Sequence, residues 1–433
     1  MLYAKDTPKV DLVIRSARVI DPVEGIDALL DVKIDGGVVS ELGLNVNSNG
    51  HRVVEGRGMV LAPGFVDPHV HLRTPGREDE ETIASGTAAA GAGGYCAILA
   101  MPNTDPVVDS AAVLGALVER ARAEARVPVG FLAAISKGQE GRELTEMVEL
   151  SERGAAGFTD DGRPVVSASL MRRALQYSAV CEGPIALHEE EPALSHGGHM
   201  HEGPVSAELG LGGWPSVAES TMVARDLALA GYEGRPLHLL HLSARESVEE
   251  LRRARAAGIA ATGEATPHHL CLTDEAVRSL DPNLKMNPPL RSGDDRAALV
   301  DALRDGTIGA VATDHAPHAR HEKEAPFEEA PFGVTGLETA FAALYTRLVQ
   351  PGILPLETLL ERMSAGPARI YGLEPPRIAV GAAANLVLLD LDTAWRVTSA
   401  CFRSRSANSW LLGETLAGAV RITVADGRLV HAA

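Results

Sequence analysis

Along residues 11–61 apolar and polar positions alternate in short runs, DLVIRSARVID, DVKIDGGVVSEL and HRVVEGRGMVLAP, with Gly, Asp and Asn at the turns between them. That texture predicts β-strands, and nothing helical of useful length interrupts it. Similar short strands return near the other end, in ANLVLLDLDTAWRV and AVRITVADGRLV, so the two termini are expected to meet in one small β-domain. Between them short apolar, β-rich segments alternate with helical stretches. The apolar segments fall at 64–72, 95–102, 127–135, 155–161, 184–190, 236–243, 259–267 and 309–316. Helices are predicted over 110–125, 144–153, 169–180, 217–230, 245–257 and 296–304. Eight strand units of this kind predict an α/β fold, a (β/α)8 TIM barrel over 62–373, with a β-sandwich domain formed by 1–61 and 374–433.

A barrel of this type carries its chemistry at the carboxyl ends of its strands, and the polar residues sort accordingly. His69 and His71 end the first segment two residues apart, so strand geometry points both imidazoles to one side. Arg73 continues that parity and places a fork able to grip a carboxylate beside them. Asp160 and Asp161 end the fourth segment, His188 the fifth, and Asp314 with His315 the eighth, while His241 lies near the end of the sixth. One rim would then gather His69, His71, His188 and His241 with Asp161 and Asp314, a donor set suited to a divalent cation such as zinc.

Composition narrows the partners. Among 433 residues, 40 Lys and Arg stand against 58 Asp and Glu, for a formal charge of −18; this disfavours nucleic acid or an anionic membrane as the main partner. A small anion remains compatible, because a local arginine overrules the global sign. Cys96, Cys181, Cys271 and Cys401 are scattered without a CxxC pair, as in a protein of the reducing cytosol, and are read as structural thiols. The start, MLYAKDTPKVDLVIRS, has no signal-peptide pattern, and the most apolar tract, 87–102, is too short and glycine-rich to span a bilayer. A cytoplasmic protein is expected.

Several motifs together resemble the cyclic amidohydrolase superfamily, and more closely the long bacterial type of dihydroorotase: DPHVHLRTPG, MPNT at 101–104, FTDDG at 158–162, LHEE at 187–190, HLLHLSA at 238–244, KMNPPLR at 285–291, ATDHAPH at 312–318 and PFGVTGLET at 331–339. The resemblance implies that His69, His71, Asp161, His188, His241 and Asp314 hold one or two zinc ions, with Asp161 bridging two. It implies that Arg73, Asn103 and His318 bind the substrate carboxylate, that Asn287 and the backbone of Phe332 and Gly333 contact the ring amides, and that His71 also belongs to the substrate-binding set. Asp314 is implied as the catalytic proton carrier. The reaction implied is the reversible cyclisation of N-carbamoyl-L-aspartate to dihydroorotate in pyrimidine synthesis. As partners the resemblance leaves room for a homodimer and for aspartate transcarbamoylase.

Hydantoinases and allantoinases, the related alternative, and many dihydroorotases are known for a carboxylated lysine at the end of the fourth strand. Here 155–176 contains no lysine, and an aspartate bridge, as in the bacterial dihydroorotases of this type, is the substitute the resemblance implies. An inactive scaffold homologue is expected to have lost ligand histidines, and none is missing. One departure is Thr74, where the family usually has glutamate; its opposite strand parity points it away from the metals.

The remaining polar residues receive structural readings. His196, His199 and His201 are expected in a solvated loop, and Lys137 in another. His238 is expected deeper in the barrel as a satisfied structural histidine. His268 and His269 are expected to shape the rim. Glu78 to Glu81 read as a solvated helix start, and Asp160 as a support for Asp161.

Overall fold

The computed structural model describes residues 2–433. Strands from both ends of the chain form one eight-stranded sheet in the order Arg428–Ala432, Thr415–Ala425, Leu386–Arg396, Val60–Pro63, Leu12–Asp21, Ile26–Asp35, Val38–Gly43, with Arg52–Glu55 attached to Leu12–Asp21. A bulge between Ile14 and Ala17, with Ser16 at φ 57°, divides the strand Leu12–Asp21. Its first half pairs with 52–55 and its second with 60–61. A bulge bends a strand and strengthens its twist. The sheet therefore turns over on itself, and Leu12, Ile14, Val32 and Ile34 share one core with Leu386, Leu388 and Val424. This is the sandwich expected from the terminal strands.

At Gly64 the chain passes from this sheet into the barrel. A Cβ there would lie 2.8 Å from that of Cys96, so only glycine fits the passage. The barrel runs in parallel from Phe65–Val70 to Tyr95–Ala100 to Val129–Phe131, and from Ile185–Leu187 through Leu237–Leu239 and Ala261–Ala265 to Ala310–Val311. Single parallel bridges join the two arcs: Phe158 to Ala133 and Ile185 on one side, Val70 to His315 on the other. The fourth segment, expected as a strand over 155–161, thus contributes one bridging residue only. Gly157 runs so close to Pro184 that a Cβ would stand 2.9 Å from the proline carbonyl oxygen, and beyond Thr159 the chain leaves the ladder. Its place in the barrel order is nevertheless the expected one.

The predicted helices form at Ala111–Glu124, Met147–Glu152, Ala168–Tyr177, Val217–Glu233, Arg245–Ala256 and Gly293–Asp305. Both faces of the barrel strands are covered, and all six residues of Phe65–Val70 are buried, as a parallel sheet requires. No helix among the described residues is long and apolar enough to cross a membrane.

Candidate active site

The six predicted ligands converge at one end of the barrel. Asp161 lies at their centre: Oδ1 is 3.6 Å from His69 Nε2, 3.7 Å from His241 Nε2 and 3.8 Å from His188 Nδ1, and Oδ2 is 3.6 Å from His71 Nε2. Asp314 Oδ1 is 3.0 Å from His71 Nε2 and 3.4 Å from His69 Nε2. His188 Nδ1 and His241 Nε2 face each other at 2.9 Å. The donors therefore form two groups, His69, His71 and Asp314 on one side and His188 with His241 on the other, with Asp161 touching both.

Backbone strain accompanies this convergence. Arg73, His241 and Asp314 have φ of 53°, 29° and 48°, conformations that persist at functional sites because surrounding structure over-determines them. The electrostatics point the same way. Burial opposes ionisation of Asp161, yet the imidazoles of His69, His241 and His71 outweigh it and hold the carboxyl well below its ordinary range. Burial likewise disfavours the His69 cation, but Asp161 and Asp314 overcome that and hold its pKa well above the usual value. His69 Nε2 is buried without a hydrogen-bond partner. A divalent cation fits an orphaned nitrogen among anionic oxygens, and the donor chemistry suits one.

A second layer fixes the imidazoles. His69 Nδ1 donates to Glu264 Oε1 at 2.9 Å, and His238 Nε2 donates to Glu264 Oε2 at 3.0 Å. His238 Nδ1 lies 2.8 Å from Thr262 Oγ1. His238 is thus the satisfied histidine expected, and the fully buried Glu264 is the residue the sequence reading passed over. With Nδ1 committed as a donor, Nε2 of His69 is the nitrogen that faces the cluster and would give up its proton to a bound cation. Burial alone would raise the Glu264 pKa, but the two histidines bring it down to about 2. His71 Nδ1 similarly meets Asn103 Oδ1 at 3.0 Å, and His188 Nε2 meets Glu190 Oε2 at 3.0 Å. Replacing Glu264 with Gln should free the His69 tautomer and weaken metal affinity by about 10- to 100-fold. Competition with a chromophoric chelator measures this.

Asp160 accepts from the Ile135 and Ser136 amides at 2.8 and 3.0 Å, so its carboxylate ties the fourth segment to the end of the third, and neither bond reaches Asp161. Asp67, in the first strand, accepts from Thr313 Oγ1 at 2.6 Å and ties the first strand to the eighth.

Beside the cluster lies a cavity of about 140 Å³. Of the predicted substrate group, His71, Arg73, Asn103, Asn287, Phe332 and Gly333 line it, joined by Gly162 and Ala316, which sequence reading did not single out. His318, the remaining member of that group, adjoins these lining residues without itself being one of them. Its Nε2 donates to the Phe332 carbonyl at 2.8 Å, and Arg73 Nη2 approaches at 3.5 Å. Burial, then the charges of Arg73 and Lys323, lower the His318 pKa to about 3.

The reading of Glu78 to Glu81 as a solvated helix start is corrected in its second half. Glu80 and Glu81 are fully buried. Glu80 pairs with Arg73 Nε at 3.1 Å and lies 3.4 Å from His318 Nδ1. Glu81 pairs with His315 at 3.2 Å. The helix begins later, at Ile83, with Thr82 as its cap, so these two carboxylates precede it and face inward. Of the remaining histidines, His268 and His269 are buried at the rim as expected. His196 is exposed, whereas Met200–His201 forms a short strand with Gly213–Trp214 and half-buries His201. Thr74 is buried with its hydroxyl unpartnered. Lys137 is exposed and pairs with Glu143.

Residues 58–247 match the Dihydro-orotase-like family model. A dihydroorotase of Geobacter metallireducens is 44% identical over 98% of this chain and 100% of its own length, and one of Anaeromyxobacter dehalogenans is 46% identical over 97% and 98%. The chain belongs to the dihydroorotase family. Among solved structures, the L-hydantoinase (dihydropyrimidinase) of Arthrobacter aurescens superposes with a TM-score of 0.87 at 25% identity, covering 98% of this chain and 96% of that one. Membership of the dihydroorotase family makes this a metal-dependent cyclic amidohydrolase, and the cluster at the barrel mouth is where such an enzyme's donors belong.

Proposed function

We propose that the protein is a zinc-dependent dihydroorotase, which interconverts N-carbamoyl-L-aspartate and (S)-dihydroorotate in the cytoplasm during pyrimidine synthesis. The observation that carries this reading is full-length identity of 44% and more to dihydroorotases, joined to an aspartate, Asp161, at the centre of the donor cluster where hydantoinases are known for a modified lysine. His69, His71 and Asp314 would hold one cation, His188 and His241 a second, and Asp161 both. The bound metal supplies a Lewis acid that polarises the ring carbonyl and acidifies water toward neutral pKa.

The chain's own groups supply the rest. Arg73, a guanidinium at the cavity wall, binds the substrate carboxylate together with Asn103 and His318, a charge-assisted contact in a largely buried site. Asn287, whose Oδ1 has no protein partner, and the backbone of Phe332 and Gly333 orient the ring amides. Asp314 takes the proton of the attacking water as its oxygen bonds to the ring carbonyl carbon, then delivers it to the ring nitrogen as the carbon–nitrogen bond breaks. The new carboxyl group gives its remaining proton to Asp314, which ends protonated. Cyclisation runs this in reverse: protonated Asp314 and the ureido N–H supply the two protons with which the carboxylate oxygen leaves as water as the carbon–nitrogen bond forms.

The two directions therefore need opposite forms of one carboxyl group. Burial opposes its ionisation, but His69 and His71 outweigh that and hold Asp314 below the ordinary carboxylate range. Because that group protonates only in acid, hydrolysis should lose rate only as pH falls below the ordinary carboxylate range and stay level above it, while cyclisation should fall as pH rises. Initial rates in both directions across one pH series check this, and parallel trends would remove Asp314 as the carrier. The substrate assignment is tested by assaying the purified enzyme on dihydroorotate, allantoin and hydantoin. Turnover of dihydroorotate alone is expected, and preference for either of the others would overturn the reading.

A further inference from the structure

Asn408 lies far from the barrel strands in sequence, between the turn Ser399–Cys401 and the strand Thr415–Ala425, yet it is only 6% exposed. Its side chain enters the wall behind the cavity. Nδ2 donates to the carbonyl oxygens of Ala316 at 3.1 Å and Gly333 at 3.3 Å, and Oδ1 accepts from the backbone N–H of His318 at 3.1 Å. Its own carbonyl accepts from the Thr335 amide at 2.9 Å. One residue thus joins the loop after the eighth strand to the loop that carries Phe332 and Gly333.

Those loops meet at backbone distance. Gly333 has φ +117°, and a Cβ on it would stand 2.6 Å from that of Ala316. Backbone hydrogen bonding sets their spacing: the Ala316 amide donates to the Val334 carbonyl at 2.8 Å, and the Asn408 side chain adds three bonds beside it. A primary amide offers two donors and an acceptor without charge, which matches two carbonyls and one N–H. The same stretch also holds the carboxylate loop behind Arg73: Ser406 Oγ donates to the Glu80 carbonyl at 2.8 Å, and the Arg405 amide to Glu81 Oε1 at 3.3 Å.

We infer that Asn408 is a positioning residue for the substrate's anionic end, setting the separation of His318 from Gly333 without touching the substrate. The inference rests on the assignment of those two residues as substrate contacts under the proposed function. A residue that merely stabilised the fold would change melting temperature and leave the Michaelis constant alone.

The test is Asn408→Asp in the metal-loaded enzyme, a change of no size that removes both donors and sets a carboxylate oxygen against two carbonyls. The expected result is a KM for dihydroorotate raised about tenfold or more, from two lost hydrogen bonds. The kcat should stay within about threefold and metal content should not change. Orotate, which keeps the ring and the carboxylate, should bind correspondingly more weakly by calorimetry. Should the Asp variant not fold, Asn408→Ser, uncharged and able to keep one hydrogen bond, is measured instead and should show a smaller rise of the same kind. A KM within about twofold of the parent in the folded variant, or failure of both variants to fold, overturns the inference. A parent enzyme inactive on dihydroorotate would strike at the proposed function itself, and the two failures are told apart by that first assay.

Discussion

Asp314→Asn is expected to lower kcat by about a thousandfold, within the range of roughly 10² to 10⁴ that a positioned acid or base contributes. The amide keeps the shape of the side chain and one oxygen toward His71, so the fold and the KM for dihydroorotate should change little. An amide cannot carry the proton, however. The competing explanation is that the loss reflects a weakened cation site, since Asp314 Oδ1 stands 3.0 Å from His71 Nε2 and 3.4 Å from His69 Nε2. Metal content measured on the same preparation separates the two. Retained metal with lost turnover supports proton transfer, and loss of both in proportion would reduce Asp314 to a ligand.

Asp161→Ala should have the second large effect, by another route. Asp161 approaches all four imidazoles of the cluster, and its charge is the leading counterweight to the burial that disfavours the His69 cation. Without it, His69, His71 and Asp314 on one side and His188 with His241 on the other share no anion, and a cation would be held from one side only. Metal per chain should drop, and activity should fall by at least about a hundredfold, more than the loss of a supporting residue brings. Elemental analysis after gel filtration, beside the rate on dihydroorotate, checks this. Unchanged metal content would show that Asp161 does not bridge.

Much of this arrangement could be read from the chain alone, for a physical reason. Parallel strands buried on both faces leave near-continuous apolar runs, so a polar residue at the end of such a run stands out, as His69, His188 and Asp314 do. Four features escaped. The fourth segment looks apolar enough for a strand, but the close approach of Gly157 to Pro184 is a tertiary contact with no local signature. Glu264 lies inside the strand Ala261–Ala265, and its parity with Thr262 was the available signal: both reach His238. Glu80 and Glu81 followed the general preference of carboxylates for helix starts, whereas arginine and histidine partners brought from elsewhere in the chain bury them. Asn408 was invisible for the same reason, since its three bonds reach back 75 to 92 residues.

Titration of the metal-depleted enzyme with zinc, reading bound metal per chain and the rate on dihydroorotate from the same samples, bears most directly on the account. Activity should be absent in the depleted protein and rise with occupancy to a plateau at one or two ions per chain. Full turnover of dihydroorotate by protein from which the metal has been removed would contradict it.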